Sequence, residues 1–226
     1  MRMRRKRNLE PRLDACKDLL IVRGAPCLNL KEAEENFRAL LDYESVFGNG
    51  NPVELEVGCG NGGFIRELAV RKPDRNYLCV EICANVILTA AERVREAGIG
   101  NVRFLNIPAE ILRCYLPEGS IEKIYLNFST PLPEKSREKQ RLTSPRFLKI
   151  YDALLKTGAT IEQKTDSEEF FDYSLNEMRR FGYGIERITR DLHNSEYAKE
   201  NIVTEYERGF SEQGKRICAL TAIKKN

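Results

Sequence analysis

Two acids and a crowd of glycines carry the first chemistry in this chain. Glu56 stands two residues before Gly58, and Gly58, Gly60, Gly62 and Gly63 crowd the turn that follows the apolar alternation of Val53, Leu55 and Val57. Glycine accepts positive φ and has no side chain to hold a ligand away, so the backbone here can touch whatever lies above it. A helix that starts at such a turn aims its first amides at the same spot. Glu81 closes the next apolar run, 77–80, where folds of this kind place a carboxylate on ribose hydroxyls.

A glycine turn alone is shared by nucleotide binders of several kinds. Glu56 separates them. The pyrophosphate of a dinucleotide repels a carboxylate, whereas a ligand with an ammonium and a sulfonium is attracted to one. The turn and its two strand-end acids therefore fit S-adenosylmethionine better than a nicotinamide dinucleotide. The plain alternative is a tight turn beside two solvated glutamates.

The elements that must position these residues alternate between strand and helix. Strands are expected at 53–57, 76–82, 102–107, 121–128 and about 159–164, with helices at 63–71, 84–97, 143–156 and 168–181 and a short one at 109–115. Alternation of this kind is the signature of a parallel sheet covered on both faces. The last two strands, 183–191 and 216–223, are joined by a polar loop with no full helix, so they are expected to be antiparallel. The expected fold class is α/β, a Rossmann-like seven-stranded, mostly parallel sheet. In such sheets ligands gather beyond the carboxyl ends of the strands. Glu56, Glu81, Pro108, the 127–135 loop and Asp166 are therefore expected at one crevice.

Bulk properties fit one soluble α/β domain: 226 residues, 42% hydrophobic and 31% charged, with no apolar run near the roughly 20 residues of a membrane span. Residues 1–30 read as a basic, partly mobile arm and 31–226 as the domain, with a helix-like pattern from Ala33 to Tyr43. Net charge is only +3, but basic residues cluster at 2–7 and 135–149, which suggests a polyanion tracked by patches. Seven scattered cysteines suit a reducing cytoplasm. Cys79 and Cys83 have no second pair at zinc spacing, so no metal is expected, and monomer is the default.

A second group of polar residues lies further along. Asn127 and Ser129 leave the fourth strand in a loop stiffened by Pro131 and Pro133, followed by the basic run 135–141. Asp166 ends the fifth strand, and Thr204-Glu205-Tyr206-Glu207 follows His193-Asn194 in the late loop. Leu55-Glu56-Val57-Gly58-Cys59-Gly60, Tyr125-Leu126-Asn127-Phe128-Ser129, Arg141-Leu142-Thr143, Lys164-Thr165-Asp166, Asp191-Leu192-His193-Asn194-Ser195 and the Thr204 segment stand together in one order and spacing. In this set the chain resembles the bacterial tRNA guanine-N(7) methyltransferases, over nearly its whole length.

The resemblance implies methyl transfer from S-adenosylmethionine to a tRNA guanine, guanine-46 of the variable loop. It implies donor contacts at Glu56, Gly58, Gly60, Glu81, Pro108, Glu110 and Asn127. It implies substrate contacts at Glu134, Lys135, Asp166, Thr204, Glu205, Tyr206 and Glu207. Thr130 stands where the family usually has its catalytic aspartate, Leu132 where it has an aromatic, Glu134 where it has a lysine, and Pro108 where an acid is common. Guanine N7 is a lone-pair acceptor and needs no deprotonation, so positioning and electrostatics dominate the expected chemistry. Two rival readings stay open. One is a tRNA-binding relative that keeps the fold and donor pocket but has impaired catalysis. The other is a methyltransferase for a small molecule or protein.

Overall fold

The alternating run at 53–57 and the apolar run at 76–80 form adjacent strands, and the glycine turn sits on their shared carboxyl edge. The computed structural model describes residues 5–23 and 39–225. Of the helix-like pattern expected from Ala33 to Tyr43, residues 33–38 lie outside the described residues, 39–42 hold no helix, and a helix starts at Tyr43. The chain divides into two compact units, 1–114 and 115–226.

In the first unit, α1 (Leu9–Ala15) leads into β1 (Leu20–Arg23), and α2 (Tyr43–Phe47) precedes β2 (Val53–Val57). Then come α3 (Gly63–Arg71), β3 (Asn76–Val80), α4 (Ala84–Glu96) and β4 (Val102–Asn106). The strands lie in the order β1-β4-β3-β2, all parallel. Every residue of β2 and β3 is buried, as expected for strands covered on both faces. On α4, Ile87, Ala90, Ala91 and Val94 are buried at helical spacing.

The second unit runs β5 (Ile121–Asn127), α5 (Pro145–Leu154), β6 (Leu155–Thr165), α6 (Glu168–Phe181), β7 (Gly184–Thr189), α7 (Glu205–Glu212) and β8 (Cys218–Ile223). The order is β5-β6-β8-β7, with β5 and β6 parallel and β8 antiparallel to both its neighbours. The expected antiparallel end of the sheet is therefore present.

Two expectations need correction. Among the described residues there are eight strands, four in each unit, where seven are expected. The extra one is β1, inside the span read as an arm: Leu20 registers with Phe104, and the Phe104 amide donates to the Leu19 carbonyl at 2.8 Å. The same span packs α1 against α4, where Arg12 donates twice to Glu92, at 2.7 Å each. Second, the polar stretch between the last two strands holds the helix α7. Its N-terminus is closed by a capping box, in which Thr204 accepts from the Glu207 amide and Glu207 accepts from the Thr204 amide.

Candidate functional site

The hollow at the end of β2 and β3 is built by backbone. Gly58 and Cys59 both donate their amides to the Val80 carbonyl, at 2.8 and 3.1 Å, so the turn is tied to the strand that carries Glu81. Gly58 and Gly60 have φ of +77° and +55°, and a Cβ at either would meet nothing within 4 Å. Their bare faces thus border open space, as a close-fitting ligand needs. Gly62 serves a different end. A Cβ there would stand 2.8 Å from the Ala90 Cβ, so this glycine lets α3 and α4 approach. Gly62→Ala is expected to destabilise the fold by about 1–3 kcal/mol through overpacking. Thermal unfolding measures that loss, and the protein that remains folded should keep its ligand affinity.

The acids stand where the sequence puts them. Glu56 is 2% exposed in β2, and Glu81 follows β3 directly. The Glu81 carboxylate is held locally, since its Oε1 accepts the Cys83 amide at 2.8 Å. Both carboxylates stand close enough to act on the buried Cys59 thiol. A side-chain hydrogen bond with Cys79 draws its pKa down, yet burial and the charges of Glu56 and Glu81 leave it raised. Pro108 and Glu110 come just after β4, where the Ile111 amide donates to the Pro108 carbonyl at 3.3 Å.

Two residues here are not singled out by the sequence reading. Asn106 ends β4, and its amide nitrogen donates to the carbonyls of Glu81 and Ile82, at 2.7 and 3.0 Å. It fixes the loop that carries the acid. Ile82 is 70% exposed, a large apolar side chain beside Glu81. Its signal is an apolar residue directly after a strand-end acid.

In the second unit the predicted residues divide into two kinds. Glu207 is 0% exposed, and its carboxylate is fully engaged. Oε2 accepts from the Lys164 ammonium at 2.8 Å, and Oε1 accepts from His193 Nε2 at 2.6 Å and from the Asn201 amide at 2.5 Å. Lys164 is completed by the Asn201 side-chain carbonyl oxygen and the Ile202 carbonyl, at 3.0 and 2.8 Å. Thr204 is likewise buried in the cap of α7. These two residues build the segment, whereas Glu205 and Tyr206 on its first turn are exposed. Burial thus separates Thr204 and Glu207 from the exposed Glu205 and Tyr206.

Asp166 lies two residues past Lys164, which is the register partner of Asn127. The cap of α6 is Ser167, whose hydroxyl accepts the Phe170 amide at 3.2 Å, so Asp166 is not consumed as a helix cap. Its carboxylate instead accepts from Lys215 at 2.7 Å. The same ammonium lies 4.5 Å from the centroid of Phe210, and Phe210 is 5.9 Å from Phe128. Lys215 is a further residue not singled out by the sequence reading.

Thr130, Glu134 and Lys135 are exposed on the loop after β5. Glu134 lies 3.9 Å from Arg137. The loop's base is firm: Thr143 and Ser174 share a hydrogen bond of 2.8 Å, and Gln163 donates to the same serine at 2.9 Å. Among the described residues no group of three His, Cys, Asp or Glu is placed to hold a metal, and no helix is long and apolar enough to cross a membrane.

The family described as "Putative methyltransferase" matches residues 50–220. The chain is 44% identical over 175 residues to a tRNA (guanine-N(7)-)-methyltransferase of Bacillus velezensis, covering 77% of this chain and 80% of that protein. It is 42% identical over 175 residues to the protein of the same name from Bacillus subtilis, covering 77% and 82%. Among solved structures, the 16S rRNA methyltransferase KamB superposes with a TM-score of 0.62 at 17% identity, over 85% of this chain and 97% of that one. A geranyl diphosphate C-methyltransferase of Streptomyces coelicolor, solved with S-adenosyl-L-homocysteine, superposes with a TM-score of 0.54 at 19% identity, over 79% and 76%. These structures share the α/β methyltransferase fold.

Proposed function

The chain belongs to the tRNA (guanine-N(7)-)-methyltransferase family, and from that premise we propose that it transfers a methyl group from S-adenosylmethionine to N7 of a guanine in tRNA, giving 7-methylguanosine. Kinship over most of the chain carries this reading. The hollow of the first unit fits the donor. Bare backbone at Gly58 and Gly60 admits a close ligand, and Glu56 and Glu81 supply negative charge for a cationic one. Glu81 would take the ribose hydroxyls and Ile82 the flat face of the base, with Pro108 and Glu110 beside them. When bound, S-adenosylmethionine supplies a methyl on a positively charged sulfur, open to attack by a lone pair.

The protein's own residues then orient the partner and steady charge. No proton has to leave N7 before attack, so no general base is required. The Asp166 carboxylate suits the N–H groups of a guanine Watson–Crick edge, Tyr206 and Glu205 would hold the nucleotide, and Asn127 would contact the donor. In the loop after β5, Thr130 offers a hydroxyl where the family usually has a carboxylate. Glu134 is the nearest acid in sequence to offset the positive charge that develops on guanine. Glu134→Gln is accordingly expected to lower turnover by about tenfold or more, with donor affinity unchanged. Steady-state kinetics beside calorimetry checks this, and unchanged turnover discards the role for Glu134.

The target proposed is guanine-46 of the variable loop. The basic N-terminal stretch and the 135–149 stretch, Lys135 included, would hold tRNA phosphates, with an affinity that falls as salt rises. The protein is proposed to work as a monomer in the cytoplasm. Incubation of the full chain with labelled donor and unmodified tRNA tests the reading, and strand scission at 7-methylguanosine maps the base. Label in tRNA with scission at position 46 supports it. Tight tRNA binding without product favours the impaired relative, for which Thr130 and Glu134 are the grounds.

A further inference from the structure

Two residues of the loop after β5 hold a backbone that side chains rarely adopt: Phe128 has φ +51° and Leu132 has φ +47°. Left-handed backbone costs about 1–2 kcal/mol at such residues. It persists where the surroundings over-determine it, and such positions cluster at functional sites. Each of these two has its own clamp. The Phe128 amide donates to the Lys164 carbonyl at 2.8 Å, and the Lys164 ammonium lies 5.8 Å from the centroid of the Phe128 ring.

The second clamp is Arg141. Its Nε and Nη2 both donate to the Leu132 carbonyl, at 3.2 and 3.1 Å. Its side chain is 8% exposed, and the guanidinium lies over Tyr173, 4.4 Å from the ring centroid. The exposed carboxylate of Glu169 stands 3.9 Å away, too far for a direct hydrogen bond. A planar, permanently charged fork suits a phosphate or carboxylate. Here it is buried and aimed at one backbone carbonyl, so its effect is geometric.

We propose that Arg141 is a positioning residue for methyl transfer: by holding Leu132 in the left-handed conformation, it presents residues 129–131 in a single arrangement, with Thr130 exposed. The proposal rests on the function given above and deepens it. In a reaction governed by alignment, a displacement of about 1 Å far from the reacting atoms can lower the rate about 10²-fold. Thr130 and its neighbours form a short span between two pinned residues, and releasing one pin frees the span.

The test uses the full chain with unmodified tRNA. Arg141→Met keeps the stem and removes the fork, and Arg141→Lys keeps the charge but neither the paired donors nor the planar stack. The expected result is a fall in kcat of about 10²-fold for the first and a smaller fall for the second, with KM for tRNA and donor affinity held within about twofold. Because the chain has no tryptophan, Leu132→Trp places a single tryptophan in the loop, excited apart from the tyrosines at the red edge of its absorption. Adding Arg141→Met to it should shift emission to the red and lower its anisotropy. A kcat within about threefold of the parent in Arg141→Met overturns the proposal. So does a matched loss of kcat, donor affinity and melting temperature. If Arg141→Met does not fold, Arg141→Lys carries the same comparison. A parent protein that methylates no tRNA would defeat the functional reading instead, and the fluorescence comparison would still decide whether Arg141 pins the loop.

Discussion

Lys164→Met is expected to cost about 3–5 kcal/mol of folding stability, because it strips a fully buried carboxylate of its counter-charge. Glu207 is 0% exposed and lies 2.8 Å from the Lys164 ammonium. Its remaining partners, His193 and Asn201, keep their hydrogen bonds to the carboxylate. Urea unfolding of the parent, both single variants and the pair Lys164→Met with Glu207→Leu closes the cycle. The pair should recover most of the loss, since apolar replacement of both partners removes the desolvation penalty. A single-variant loss below about 1 kcal/mol, the scale of an exposed pair, would show that the contact is weak.

The same pair sets an acid limb. Burial pushes the Glu207 pKa up, but the charge of Lys164 and the hydrogen bonds from Lys164, His193 and Asn201 outweigh it and hold the value below its ordinary level. A carboxyl with a depressed folded pKa contributes stability that is complete above its unfolded pKa and is lost as pH falls through the folded one. The parent should therefore weaken below about pH 4.3. Lys164→Met should flatten that part of the curve.

Gly60→Val is expected to abolish donor uptake, with a loss of at least about a hundredfold in affinity. The φ of +55° is a genuine outlier for a β-branched residue, at a local cost of about 1–3 kcal/mol. The new methyls also enter open space where the proposed donor would sit, and nothing lies within 4 Å of a Cβ there. Calorimetry with S-adenosylmethionine and with its demethylated product reads the loss, and circular dichroism reports the fold. Binding retained within about tenfold would mean that the ligand does not touch this turn.

Much of this was legible in the letters because the signals are local. Val53, Leu55 and Val57 mark β2 by alternation, the glycines mark the turn, and α3 runs over the residues that the pattern predicts. What escaped depends on distant partners. The Leu20–Arg23 segment is too short to announce a strand, and its pairing with β4, about eighty residues away in the chain, makes it one. The helix α7 is only 8 residues long and polar, and its buried residue is a glutamate. Its clearest signal is Thr204 followed three residues later by Glu207, a capping box that also belongs to the tRNA-type motif. The two meanings share one pair of letters. The burial of Glu207 against Lys164, 43 residues earlier, is announced by neither. Arg141 and Lys215 show the same limit, because a basic residue in a basic stretch does not reveal which oxygen it serves.

The contact between Lys215 and Asp166 bears on which base the proposed pocket accepts. The carboxylate is already satisfied by an ammonium at 2.7 Å, so an incoming base must offer something at least as good. Guanine brings two kinds of N–H to that edge, whereas adenine turns a bare ring nitrogen toward the acid. If Asp166 reads the base as proposed, a resident lysine would set a threshold that the wrong purine fails to cross, and selectivity would arise from what has to be displaced as much as from what is gained.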